Sequence, residues 1–187
     1  MATRAVRLRY HQRMLLQPPA SLWTIGHSTH PIADFLHILE AHGIARIADV
    51  RRFPGSRAHP HFNPDALAGA LRERGIAYTP MLALGGRRKA RSDSPHVAWR
   101  SEAFRGYADY MDIPEFAVAA AELATLARAE RVAIMCAEAV WWRCHRSMIA
   151  DYFKASGWTV LHILDAREAK EHPYTAVAKV VDGTLTY

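Results

Sequence analysis

The chain has 187 residues, half of them apolar and 22% charged, which fits one globular domain with its own core and excludes a disordered chain or a two-domain enzyme. No run approaches the ~18–20 consecutive apolar residues of a membrane span. The first 20 residues lack the apolar segment of a secretory signal and two cysteines are too few for a disulfide scaffold, so a cytoplasmic protein without membrane contact is expected. The net charge of +6 is uneven: residues 1–110 hold 16 Lys and Arg against 8 Asp and Glu, and residues 111–187 hold 8 against 10. Such asymmetry suits an anionic partner, nucleic acid or a phosphorylated metabolite.

Along the chain, residues 1–20 carry Arg4, Arg7, Arg9 and Arg13 and end in Pro18-Pro19, which reads as a basic arm leading to a single α/β domain over 21–187. Leu22 to Ile25 is a short strand running into Gly26-His27-Ser28-Thr29. After Pro31, Ile32, Phe35, Leu36, Ile38 and Leu39 keep helical spacing, and Gly43 closes that helix. Ile44 to Val50 is a second strand, Asn63-Pro64-Asp65 opens a helix that Gly75 closes, and Ile76 to Tyr78 is a third strand. A loop from Leu84 to about Pro95 holds Gly85-Gly86-Arg87-Arg88-Lys89, residues 102–111 and 114–129 read as helices, Arg131 to Cys136 is the clearest buried strand, 144–156 is helical, and Trp158 to Leu164 is a last core strand. Strand–helix alternation of this kind predicts a three-layer, Rossmann-like α/β fold with a mostly parallel sheet of about five strands.

The unusual residues gather just after the strands. The exits hold Gly26-His27-Ser28, then Asp49 and Arg51, then Leu84-Gly85-Gly86, then Cys136-Ala137-Glu138 and soon Cys144-His145-Arg146, while His162 stands near the end of the fifth strand. In an open parallel sheet the strand C-termini share one edge, and ligands bind in the crevice beyond it. Segments far apart in sequence are thus expected to meet in one cleft.

These same segments, together with Pro54, Ser56, Gly75-Ile76 and Tyr78, stand in the order found in the family catalogued as domain of unknown function 488, which the chain resembles from about residue 22 to 163. The resemblance implies an α/β fold with a site built from these motifs. It also implies nucleic-acid or nucleotide chemistry, including excision of modified bases from DNA. The pair Trp141-Trp142 departs from the family pattern.

Read as chemistry, Glu138 and Asp49 are the carboxylates placed to share the cleft, and hydrolysis of an N-glycosidic bond needs an activated water beside an oxocarbenium-like centre. Asp49 has the alternative of pairing with Arg51 or capping a turn. Arg51, Arg52 and Arg146 supply planar donor forks for phosphate or a base edge, with a salt bridge to Glu138 the alternative for Arg146. His27 is a candidate proton shuttle, Ser28 a substrate contact or a helix cap, and His145 either orients a carboxylate or substrate or only bonds to backbone. Cys136 reads as a packed thiol. Cys144, at a helix start that favours the thiolate, is a candidate nucleophile and substrate contact. The spacing C-x7-C-H matches no common zinc pattern, and neither a P-loop nor G-x-G-x-x-G is present, so no metal and no cofactor are expected. Gly85, Gly86, Arg87 and Arg88 suit contact with a phosphate backbone. Tyr78 and Trp142, ahead of Phe53, Trp99 and Trp141, are the aromatics expected to stack on a flipped base.

The leading expectation is a nucleic-acid-directed hydrolase, in concrete form a DNA glycosylase that excises a modified base, with DNA favoured over RNA. The alternatives are an enzyme acting on a free nucleotide or phosphorylated metabolite, a thiol- or metal-dependent redox protein using Cys136, Cys144 and His145, and a non-catalytic nucleic-acid-binding module.

Overall fold

In a computed structural model that describes residues 20–181 and 183–187, short strands alternate with helices. The strands are β1 (Ser21–Gly26), β2 (Arg46–Asp49), β3 (Ala77–Pro80), β4 (Val132–Cys136), β5 (Thr159–Ile163), β6 (Ala169–Glu171), β7 (Lys179–Val181) and β8 (Thr184–Thr186). The helices are α1 (Ile32–Ala41), α2 (Pro64–Glu73), α3 (Glu102–Met111), α4 (Pro114–Ala129) and α5 (Arg146–Ala155), with 3-10 turns at Pro60–Phe62, Leu82–Leu84 and Trp141–Arg143. The basic arm expected over 1–20 lies, but for Ala20, outside the described residues.

The central sheet runs β3-β2-β4-β1-β5-β6. The first five strands are parallel, and β6 closes one edge antiparallel to β5. The central strands are apolar on both faces, as a sheet covered on both sides requires. Val132 and Ile134 of β4 join the core under α3, α4 and α5, while Ala133 and Met135 join the core under α1 and α2. The molecule is therefore a three-layer α/β fold of the Rossmann-like kind, the class expected from the alternation.

Helix ends set the strand starts. Gly43 and Gly75 sit at φ 62° and 70°, a left-handed conformation that a Cβ disfavours. At the first, Gly43 N–H donates to Glu40 O and Ile44 N–H to Leu39 O, at the second Gly75 to Arg72 O and Ile76 to Leu71 O. Each pair caps orphan carbonyls and turns the chain directly toward the next strand.

Nothing in the apolar periodicity marks the segment after Leu164. There the structure places β6 and the two-stranded β7–β8 hairpin. Each of these strands has three residues, too few for alternation to be visible.

Candidate functional site

Because β1, β2 and β4 are parallel neighbours, their C-terminal exits open on the same edge. The exits are also tied to one another. His27 N–H donates to Cys136 O at 2.9 Å, Ser28 N–H to Ala137 O at 3.0 Å, and Val50 N–H to Met135 O at 3.0 Å. Gly26 permits this closeness, since a Cβ there would lie 2.1 Å from the Glu138 carbonyl oxygen. The result is a pocket of about 610 Å³ lined by residues from all three exits and from the 86–87 loop.

Arg51, Glu138 and His145 all line this pocket, together with His27, Ser28, Arg52, Gly86, Arg87 and Cys144. Among the described residues the non-glycine positions with left-handed φ are Ser28 (47°) and Arg87 (55°), and both belong to the lining. Such conformations cost of order 1–3 kcal/mol each and gather at functional sites.

Asp49, Tyr78, Gly85, Arg88, Trp142 and Arg146 are not part of that lining, and each has a different task. Asp49 is fully buried. Its carboxylate accepts from Arg51 Nε and Nη2 (2.5 Å to the latter), from the Arg51 backbone N–H and from the Tyr78 hydroxyl at 2.8 Å. It is the counterion of Arg51 beneath the pocket floor and does not face a substrate. Burial, with the Asp49 charge and hydrogen bond, pushes the Tyr78 hydroxyl well above its ordinary range, so this phenol stays a donor. Gly85 packs on the Arg52 backbone, where a Cβ would come within 2.7 Å of Cα. Arg88 covers the Tyr110 ring at 3.6 Å and donates to Gly85 O and Ala83 O. Trp142 is exposed and stands edge-on to Trp141. Arg146, 1% exposed, makes no carboxylate salt bridge among the described residues but donates to the main-chain carbonyls of Glu138 and Ala139 and from Nε to Cys144 Sγ at 3.4 Å. It holds the turn that presents Glu138.

Arg51 uses every donor group. Besides Asp49 it donates from Nη2 to Phe62 O at 2.8 Å and from Nη1 to His27 Nε2 at 3.2 Å. The other His27 nitrogen, Nδ1, reaches Ser28 O at 2.9 Å and so carries the proton. Burial lowers this imidazole to a pKa of about 4. His27 is therefore a neutral support for Arg51, with both ring nitrogens engaged, rather than a free proton shuttle. His145 Nε2 donates to Val50 O at 3.1 Å, which leaves its Nδ1 lone pair facing Cys144 Sγ at 3.6 Å. The hydrogen bond from Cys136 and the neighbouring His145 draw the Cys144 thiol well below its ordinary range, and the same thiol–thiol bond, with burial, pushes Cys136 up.

The electrostatic character is lopsided. Arg51, Arg52, Arg87 and Arg143 share the lining with Glu138, the one carboxylate among the described lining residues, whose Oε1 accepts from the Val140 N–H at 3.3 Å. Exposed Phe53 sits at the mouth, and Phe104, backed by Trp99 at 4.8 Å between ring centroids, forms part of the wall. Arg143, His59 and Phe104 are lining residues that the motif reading did not single out. Arg143 adjoins Cys144-His145-Arg146 and had a signal in that adjacency, whereas His59 and Phe104 arrive through a long loop and the start of α3, which no local pattern marks. The chemistry of this lining suits an anion and a planar group, with one carboxylate among several cations. Three ligand-type atoms, the Cys136 and Cys144 sulfurs and His145 Nδ1, also converge within 4.8 Å.

A family model described as domain of unknown function DUF488 matches residues 31–153. No curated protein and no solved structure matches the chain.

Proposed function

The chain belongs to the DUF488 family, and we propose that its pocket hydrolyses the N-glycosidic bond of a nucleotide unit flipped out of DNA. The supporting observation is that one carboxylate among the described lining residues, Glu138, shares a pocket of about 610 Å³ with Arg51, Arg52, Arg87 and Arg143, a size that suits one nucleotide. Arg52, Arg87 and Arg143 hold phosphate oxygens through charge-assisted hydrogen bonds. Arg51, its donors engaged by Asp49, Phe62 O and His27, adds positive charge to the floor, and Phe53 stacks on the extruded base. Glu138 takes a proton from the water that adds to the anomeric carbon. The bond from that carbon to the base nitrogen breaks with its electron pair going to the base, which takes up the proton that Glu138 accepted and leaves. With Asp49 bound beneath the floor, the reaction uses one protein carboxylate and a water, not a carboxylate pair.

The test is incubation of the purified protein with duplexes bearing normal and modified bases, scored for abasic sites. The expected result is release of at least one modified base, reduced by about 10²–10⁴-fold in Glu138→Gln. No abasic product on any duplex overturns the proposal. The second reading, a free nucleotide or phosphorylated metabolite as substrate, is favoured by the cations lying within the pocket itself, and predicts turnover of monomeric substrates in the same assay.

A further inference from the structure

We propose that Cys136, Cys144 and His145 bind one divalent transition-metal ion, zinc by the character of the ligands, with a fourth coordination position open to the pocket. Cys136 ends β4 and Cys144-His145 precede α5, so the ligands come from two elements and their C-x7-C-H spacing gives no zinc signature. Folding brings the two sulfurs and His145 Nδ1 within 4.8 Å of one another. A tetrahedral zinc centre has S–N edges of about 3.6 Å and S–S edges of about 3.8 Å, from bonds near 2.3 and 2.05 Å. The Cys144 Sγ to His145 Nδ1 separation is already 3.6 Å.

Three further features fit the ion. His145 Nε2 donates to the Val50 carbonyl at 3.1 Å, the outer hydrogen bond that metal-ligating histidines ordinarily make and that leaves the other nitrogen free to ligate. Gly86 leaves space beside that nitrogen, for a Cβ there would lie 2.7 Å from Nδ1. Arg146 Nε points at Cys144 Sγ from 3.4 Å and is itself buried, which offsets the charge of two thiolates at the end of a strand. Two thiolates and an imidazole select zinc over magnesium or calcium, and three protein ligands leave a coordination position for water or substrate, the pattern of catalytic rather than structural zinc. All three ligands line the pocket that also holds Glu138. The inference rests on ligand geometry and does not depend on the glycosidic reading.

The test is titration of the full-length, reduced protein with cobalt(II) chloride without oxygen, followed by absorption spectroscopy. One equivalent is expected to produce the intense visible bands of a four-coordinate centre together with a thiolate-to-cobalt charge-transfer band, both removed by zinc. Cys136→Ser and His145→Ala are expected to weaken cobalt binding by more than about 10-fold, since loss of an outer hydrogen bond alone costs 10–100-fold. Glu138→Gln keeps the spectrum. These two ligand variants are chosen because Cys136 and His145 are only partly buried, and circular dichroism establishes that each is folded. A weak six-coordinate spectrum, no spectrum, or an unchanged spectrum in the folded ligand variants overturns the site. A four-coordinate spectrum in a protein that excises no base keeps the metal site and removes only the hydrolase reading.

Discussion

Arg51 shows how a single side chain connects the core to the pocket. It is 5% exposed, yet lines the cavity. Burial opposes its charge, and the hydrogen bonds and charge of Asp49 more than restore it. The pair follows an exit pattern in which residues 49 and 51 lie two apart, on the same side of the extended chain. Breaking a buried ion pair by neutralising one partner strands the other charge, at about 3–5 kcal/mol. Asp49→Asn is therefore expected to lower the unfolding free energy in urea by that amount. Asp49→Asn combined with Arg51→Gln should lose less than the sum of the two single changes, because the orphaned charge is gone. A loss below about 1 kcal/mol for Asp49→Asn would mean that Arg51 is solvated through the pocket. A catalytic Asp49 would give the opposite pattern, lost turnover with stability intact.

At the level of elements, the helices and parallel strands were readable because burial on both sheet faces produces plain apolar runs, and because glycines such as Gly43 and Gly75 end helices by backbone geometry alone. The convergence of Arg51, Glu138 and His145 was readable too, since parallel strands deliver their exits to one edge whatever their sequence separation. What stayed hidden depends on which way a side chain turns. Asp49 and Glu138 both follow strands, but Asp49 turns under the floor while Glu138 rides an exposed turn held by Arg146. Arg87 and Arg88 are adjacent, and only Arg87 lines the pocket.

The same blindness covered the polar network behind the Glu138 turn. Thr24 Oγ1 meets His162 Nδ1 at 2.7 Å, His162 Nε2 meets His172 Nδ1 at 2.8 Å, and His172 Nε2 meets Asp151 Oδ1 at 2.9 Å, linking β1, β5, the segment after β6 and α5. Asp151 also accepts from the Thr175 hydroxyl and the Tyr187 hydroxyl, which fastens the C-terminal residues. Trp141, from the turn that precedes Cys144, stacks on His162 at 4.1 Å. Burial, then the neighbouring His172 and Arg146, lowers His162 from 6.5 to about 2. The unfolded chain thus takes up a proton below pH 6.5 that the folded chain refuses until about pH 2. His162 therefore contributes stability that is present above pH 6.5 and is lost as pH falls between those values, with a slope of at most about 1.4 kcal/mol per pH unit. Urea unfolding at a series of pH values from 7 to 4 measures it. His162→Asn is expected to flatten the fall relative to the parent chain, and equal slopes would take His162 out of the acid sensitivity.

For the whole molecule the question is where the positive charge acts. The pocket carries four arginines, while residues 1–19 add Arg4, Arg7, Arg9 and Arg13 with no acidic residue among them. A pocket of about 610 Å³ has room for no more than about one nucleotide unit, so on the proposed reading a duplex is gripped by charge outside it, and the four arginines of the first 19 residues are one source of that charge. Each phosphate neutralised on duplex DNA adds about 0.9 to the slope of log affinity against log salt. Deleting residues 1–19 is therefore expected to reduce that slope by up to about 3.6 and to weaken duplex binding most at low salt, while turnover of a substrate no larger than a nucleotide stays unchanged. Filter or anisotropy titrations across a salt series read the slope directly. An unchanged slope would confine nucleic-acid contact to the pocket and its loop, and with so few phosphates held, the free-nucleotide reading would become the better account of the same four arginines.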